Sequence, residues 1–100
     1  MKEEKILHLH VKKKYWWQVR NGKKKEEYRK HNNYWYERLC KSYTFIYYHL
    51  GYPRKNDLTK TLIFKWNGFK ERFITHELFG KEKLVYVIPL GKPKTKSLGG

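Results

Sequence analysis

Gly22-Lys23-Lys24-Lys25-Glu26-Glu27-Tyr28-Arg29 marks a passage from helix to strand. Before it, residues 12–21 fit an amphipathic helix. Tyr15, Trp16 and Val19 fall at i, i+1 and i+4 and make one apolar stripe. Asn21-Gly22 supplies the stop, because glycine tolerates the left-handed conformation that closes a helix. Residues 24–29 then read as a strand. In a regular strand Glu27 shares a face with Lys25 and Arg29, while Lys24 goes with Glu26 and Tyr28. Convergence of Lys24, Glu27 and Arg29 therefore demands a bulge or turn near Lys24 or Lys25. Two carboxylates embedded in so much positive charge suit either a salt-bridged cluster or a cleft for an anionic ligand.

Working outward, residues 5–11 alternate as a strand, with Leu7, Leu9 and Val11 on one face and Ile6, His8 and His10 on the other. Two strand histidines at i, i+2 could chelate a metal, but no third ligand is near in sequence, so a structural role is expected and no metal site. Trp17 lies off the helical stripe and is expected to be covered. On the C-terminal side, His31-Asn32-Asn33 offers an asparagine cap to a helix over about Tyr34–Cys40, with Trp35, Leu39 and Tyr36 facing inward. Tyr43–Leu50 is apolar on both faces and reads as a central strand. Gly51-Tyr52-Pro53 ends it and leads into the basic loop Arg54-Lys55-Asn56-Asp57. Thr61–Trp66 and Phe69–Thr75 alternate around Asn67-Gly68, a hairpin signal because both central turn positions need positive φ. His76–Gly80 is a connection, and Leu84–Leu90 a last strand. Residues 1–91 make one domain in this reading, and 92–100 a basic flexible tail. The sum is an α+β, mostly β fold: a small β-barrel of about five or six strands with two short helices.

Composition agrees with a single small domain. Of 100 residues, 39% are hydrophobic and 18% aromatic, enough for a modest core built largely of rings. No apolar run reaches the length of a bilayer-spanning helix, and Met1-Lys2-Glu3-Glu4-Lys5 lacks a signal-peptide core, so a cytoplasmic protein is expected. Cys40 is the single cysteine, which forbids an intrachain disulfide; it is expected to be a small buried hydrophobe. The charge is more telling. Twenty-four Lys and Arg against nine Asp and Glu give +15, and nine of the cations fall between Lys12 and Lys30. That balance favours a polyanionic partner, nucleic acid first.

Gly22-x-Lys24-x-x-Glu27-x-Arg29, after a strand and a helix, resembles the signature of ASCH domains, relatives of the PUA fold. Gly51-Tyr52-Pro53, residues 74–80 (Ile-Thr-His-Glu-Leu-Phe-Gly) and residues 85–91 (Val-Tyr-Val-Ile-Pro-Leu-Gly) also look like the small phage and bacterial members. The likeness runs from about Ile6 to Gly91. It implies a PUA-like barrel with a cleft lined by the motif and binding of RNA. Some relatives are hydrolases: one branch removes the acyl group from N4-acetylcytidine, and another relative is a ribonuclease. In the amidohydrolase branch a lysine matching Lys24 activates a threonine, helped by a distant glutamate. Here Glu27 stands where that threonine would be, so the sequence departs from the nucleophile that branch uses. Glu71 and Glu77 are the later carboxylates available.

The expectation is an RNA- or nucleotide-binding domain. Its ligand-binding residues are Lys24, Glu27 and Arg29, with Lys23, Lys25, Lys12, Lys13, Tyr52 and Arg54 extending the footprint. Tyr28, Tyr52, Trp17, Trp35 and Tyr48 are candidate stacking surfaces for unpaired bases, Tyr52 first among them. The alternative is a small hydrolase of RNA or a modified nucleoside, with Lys24 and Glu27 catalytic and His76-Glu77 the histidine pair to test. A further alternative is a phage protein docking on an acidic host protein. No cofactor and no membrane partner are expected.

Overall fold

The computed structural model describes residues 5–54 and 57–94. Six strands and two helices follow in the order β1 (Ile6–Val11), α1 (Lys13–Arg20), β2 (Glu26–Lys30), α2 (Asn33–Leu39), β3 (Phe45–Leu50), β4 (Thr61–Lys65), β5 (Lys70–His76) and β6 (Gly80–Pro89). The fold is α+β and mostly β. The strands form two three-stranded sheets, β1-β3-β4 and β2-β6-β5, and no closed barrel is found among the described residues. Two compact units result. The first draws on Met1–Lys25, Tyr43–Trp66 and Leu90–Gly100, the second on Glu26–Ser42 and Asn67–Pro89.

In the first unit β3 is central, as its two apolar faces require. It runs parallel to β1, Ile6 opposite Phe45 through Val11 opposite Leu50, and antiparallel to β4. Leu7 and Leu9, Ile46 and Tyr48, and Leu62 and Phe64 are shut from solvent, one alternating set from each strand. Each such side chain contributes about 1.5–3 kcal/mol by leaving water. Helix α1 buries Tyr15, Trp16 and Val19, the expected stripe. The Trp16 indole N–H donates to the Tyr48 carbonyl at 3.1 Å, which satisfies a buried donor and ties helix to sheet. Its end is a Schellman closure: Lys23 N–H donates to the Gln18 carbonyl (2.9 Å) and Gly22 N–H to the Val19 carbonyl (3.1 Å). Gly22 sits at φ +76° in open space, so the backbone angle and not crowding selects glycine there.

In the second unit β6 lies between β2 and β5, antiparallel to both. Its Val85–Ile88 run is buried, whereas β5 is mostly exposed and turns Phe73 outward. Asn32 caps α2, its side-chain oxygen accepting from Trp35 N–H at 2.9 Å. Leu39 is the buried residue of that short helix.

Four expectations are corrected. Thr61–Trp66 and Phe69–Thr75 do not form a hairpin: β4 pairs with β3 and β5 with β6, in different sheets. Gly68 does take φ +79°, but each strand has its antiparallel partner elsewhere. The tight connection in this region is instead residues 76–80, where Phe79 N–H reaches the His76 carbonyl (3.1 Å) and Gly80 adopts φ +100°. Trp17 is exposed because it lies off the stripe, with the Arg20 guanidinium as its cation–π neighbour. Tyr36 and Cys40 are exposed as well, since the two turns of α2 bury only the line through Leu39. The expected C-terminal tail falls largely on residues 95–100, outside the described residues. No described helix is long and apolar enough to cross a membrane.

Candidate nucleic-acid interface

The signature stretch is divided by the chain's passage between units, Lys23 to Lys25 in the first and Glu26 to Arg29 in the second. Closure of α1 fixes Lys24 from its backbone, because its N–H shares the Gln18 carbonyl at 3.1 Å. The ammonium group then lies 4.9 Å from the centroid of the Tyr15 ring, a cation–π distance. Lys12, Lys13, Lys23 and Lys25 are exposed around the same helix. Lys25 anchors the chain through its carbonyl, which accepts from Leu90 N–H at 2.9 Å. The strand starts at Glu26, so the alternation expected from Lys24 onward does not apply to Lys24 or Lys25.

On β2, Glu27 is buried and accepts from the Arg29 guanidinium at 2.6 Å. That charge-assisted bond aligns Arg29, whose guanidinium carbon lies 4.8 Å over the Trp35 ring. Glu26, on the opposite face, is paired with Arg72 and accepts from the Tyr28 hydroxyl at 3.1 Å. Burial alone would raise the Glu26 carboxyl, but the hydrogen bonds from Arg72 and Tyr28 outweigh it and hold it below its ordinary value. Burial, followed by the Glu26 contact, pushes the Tyr28 hydroxyl up. On α2, Arg38 lies 5.5 Å over Trp35 and 5.5 Å over Tyr34, and Tyr34 is 61% exposed. The first unit repeats the device on α1, with Arg20 at 5.3 Å over Trp17.

A third arrangement was not legible as a site in the sequence. The rings of Tyr52, His10 and His49 stack one on the next in the first unit, and His8 lies edge to edge with His49, nearly parallel to it. His10 Nδ1–H donates to the Gly51 carbonyl at 2.8 Å, an acceptor that fixes the proton on Nδ1. His49 bonds His8 Nδ1 through Nε2 at 2.9 Å and the Thr61 hydroxyl through Nδ1 at 2.8 Å. Burial, with His10 and His8 adding to it, lowers the His49 pKa to about 4, so it is neutral at pH 7. The expected structural role of the β1 histidines is met by these bonds. Among the described residues no group of His, Cys, Asp or Glu has the geometry to hold a metal ion. Alternation had placed His8 and His10 on one face. What it could not supply was the parallel register that sets His49 of β3 opposite His10.

Beside the ladder lies a cleft of about 420 Å³ whose wall includes His8, His10, His49, Arg54, Asp57 and Leu58. The Asp57 carboxylate accepts from the Thr59 N–H (3.0 Å) and hydroxyl (2.6 Å), and this lowers its pKa. Tyr52, the first stacking candidate, is 86% exposed; Tyr48 is wholly buried core and has no face to offer a base. His76 accepts the Leu78 N–H at 3.1 Å on Nδ1, so it serves the turn beside Glu77. Glu71 is hydrogen-bonded to His31 at 2.7 Å. Comparison with protein-family models, with curated proteins and with solved structures finds no match to this chain.

Proposed function

We propose that this chain is an RNA- or nucleotide-binding domain of the ASCH, PUA-like kind, acting in the cytoplasm. The observation that carries the reading is the repeated seating of a guanidinium over an exposed or half-exposed aromatic ring. Arg38 lies over Tyr34 and Trp35 and Arg29 over Trp35 in one unit, and Arg20 over Trp17 in the other. Rings flanked by cations bind unpaired bases by stacking while the charges meet phosphates, and they do so with little sequence preference. The net +15 supplies the long-range attraction. In the second unit Glu27 and Arg29 serve as a polar floor, with Glu27 orienting Arg29, and in the first unit Lys24 joins the basic set around α1. Lys12, Lys13, Lys23 and Lys25 extend the electrostatic footprint.

Stacking of bases on rings requires them unpaired, so a single-stranded RNA should bind at least tenfold more tightly than a duplex of equal length at the same salt. Fluorescence anisotropy with labelled strands measures this, and equal affinities contradict the stacking reading. The same samples separate the hydrolase alternative. Cleavage of RNA or deacylation of N4-acetylcytidine, lost in Lys24→Ala, identifies an enzyme. Association with an acidic protein that survives nuclease treatment, with no RNA affinity, identifies the docking alternative.

A further inference from the structure

The ladder in the first unit has the geometry of a stack left open at one end. Successive ring centroids are 4.3 Å apart at 12° for Tyr52 on His10 and 4.8 Å at 17° for His10 on His49. His10 is pinned by its hydrogen bond to Gly51, and His49 by its bonds to Thr61 and to His8, which lies edge to edge with it. The surface is therefore preorganised, and a planar ligand joining it need not order the rings first. Tyr52, the outermost rung, is 86% exposed, so its outer face is open. The cleft of about 420 Å³ beside the histidines is lined by Pro53 and Arg54, which follow Tyr52 in the chain, and Tyr52 is not part of its wall. Pro53 and Leu58 give the cleft apolar wall, and Arg54 gives it a cation. The Arg54 carbonyl accepts from Asp57 N–H at 2.9 Å, and the Asp57 carboxylate is engaged by Thr59.

We propose that the open face of Tyr52 is a one-nucleotide subsite, in which an unpaired base adds a rung on Tyr52 and its phosphate meets Arg54, two residues on. The inference rests on the RNA-binding reading and gives it a position that neither the Lys24–Arg29 motif nor α2 supplies. A planar base satisfies the ladder, and an attached anion satisfies Arg54. An aromatic peptide side chain would satisfy only the first. A base paired within a helix has no free face to lay on Tyr52, so the subsite takes a base that is already unpaired.

The test uses the full chain and three probes at about neutral pH: uridine 5′-monophosphate, uridine and inorganic phosphate. Amide and imidazole NMR signals are followed in wild type, Tyr52→Ala and Arg54→Gln. Both substituted side chains are exposed, and retained spectral dispersion shows the variants folded. The monophosphate is expected to shift the signals of His8, His10 and His49 saturably, and uridine more weakly at the same signals. Tyr52→Ala should weaken both by roughly tenfold, the scale of one base–ring stack. Arg54→Gln should weaken the monophosphate and leave uridine unchanged. Unmoved histidine signals, variants that bind like wild type, or N-acetyltryptophanamide shifting the same signals as strongly as the nucleotide each overturn the proposal. Single-stranded RNA bound equally by wild type and Tyr52→Ala removes the subsite and leaves the RNA reading intact. Monophosphate binding without RNA affinity does the reverse.

Discussion

His49 ties the chemistry of the first unit to its stability. Its pKa is about 4 in the fold, against about 6.5 in an unfolded chain, because burial and the neighbouring His10 and His8 disfavour its charged form. The unfolded state thus takes up a proton that the native state refuses. The stabilisation is fully present above about pH 6.5, falls as pH drops toward 4, and changes no further below that. The span corresponds to at most about 3 kcal/mol. Urea midpoints measured from about pH 7.5 to about pH 4.5 should therefore fall more steeply in wild type than in His49→Asn, which has no proton to take up. Parallel profiles would contradict this assignment. At this scale, some of the molecule was readable from residue types alone. Gly22 and Asn32 announce their backbone duties through local chemistry. His49 does not, because its partners His8 and Thr61 are remote in sequence and meet only once the strands are in register. Cys40 and Trp17 were misread for a related reason: exposure depends on what covers a helix, and its own sequence does not state that.

Among the elements, those bounded by local signals were the most legible. The α1 stripe of Tyr15, Trp16 and Val19, the α2 cap and the central place of β3 all follow from periodicity and turn chemistry. The β4–β5 connection was not legible. Asn67-Gly68 has the residues of a two-residue hairpin, but β4 pairs with β3 and β5 with β6, partners that local turn chemistry does not specify. The closure of α1 provides an element-scale test. Gly22 sits at φ +76° with no heavy atom near the position of a Cβ. Gly22→Ala should cost about 1 kcal/mol from backbone strain alone, and Gly22→Asn noticeably less, since asparagine tolerates the left-handed region. Urea unfolding at unchanged m-value reads the difference directly. Equal loss in the two variants would show that side-chain space, and not φ, selects the glycine.

Across the whole molecule the governing quantity is charge. A net +15 on 100 residues was plain in the composition, as was its concentration between Lys12 and Lys30. Composition could not say which cations would be seated on rings, because Arg38 over Tyr34 and Arg29 over Trp35 depend on α2 and β2 presenting those faces. The central claim is that these cations meet phosphates. Each phosphate neutralised on a single strand releases condensed counterions, and the logarithm of affinity then falls linearly with the logarithm of salt by about 0.7 per contact. The most direct test is the affinity for a single-stranded RNA, by fluorescence anisotropy, from about 50 to about 200 mM salt. A slope of about −2 to −3.5 is expected, as about three to five phosphate contacts require, and a slope near zero would show that the cations do not meet phosphates.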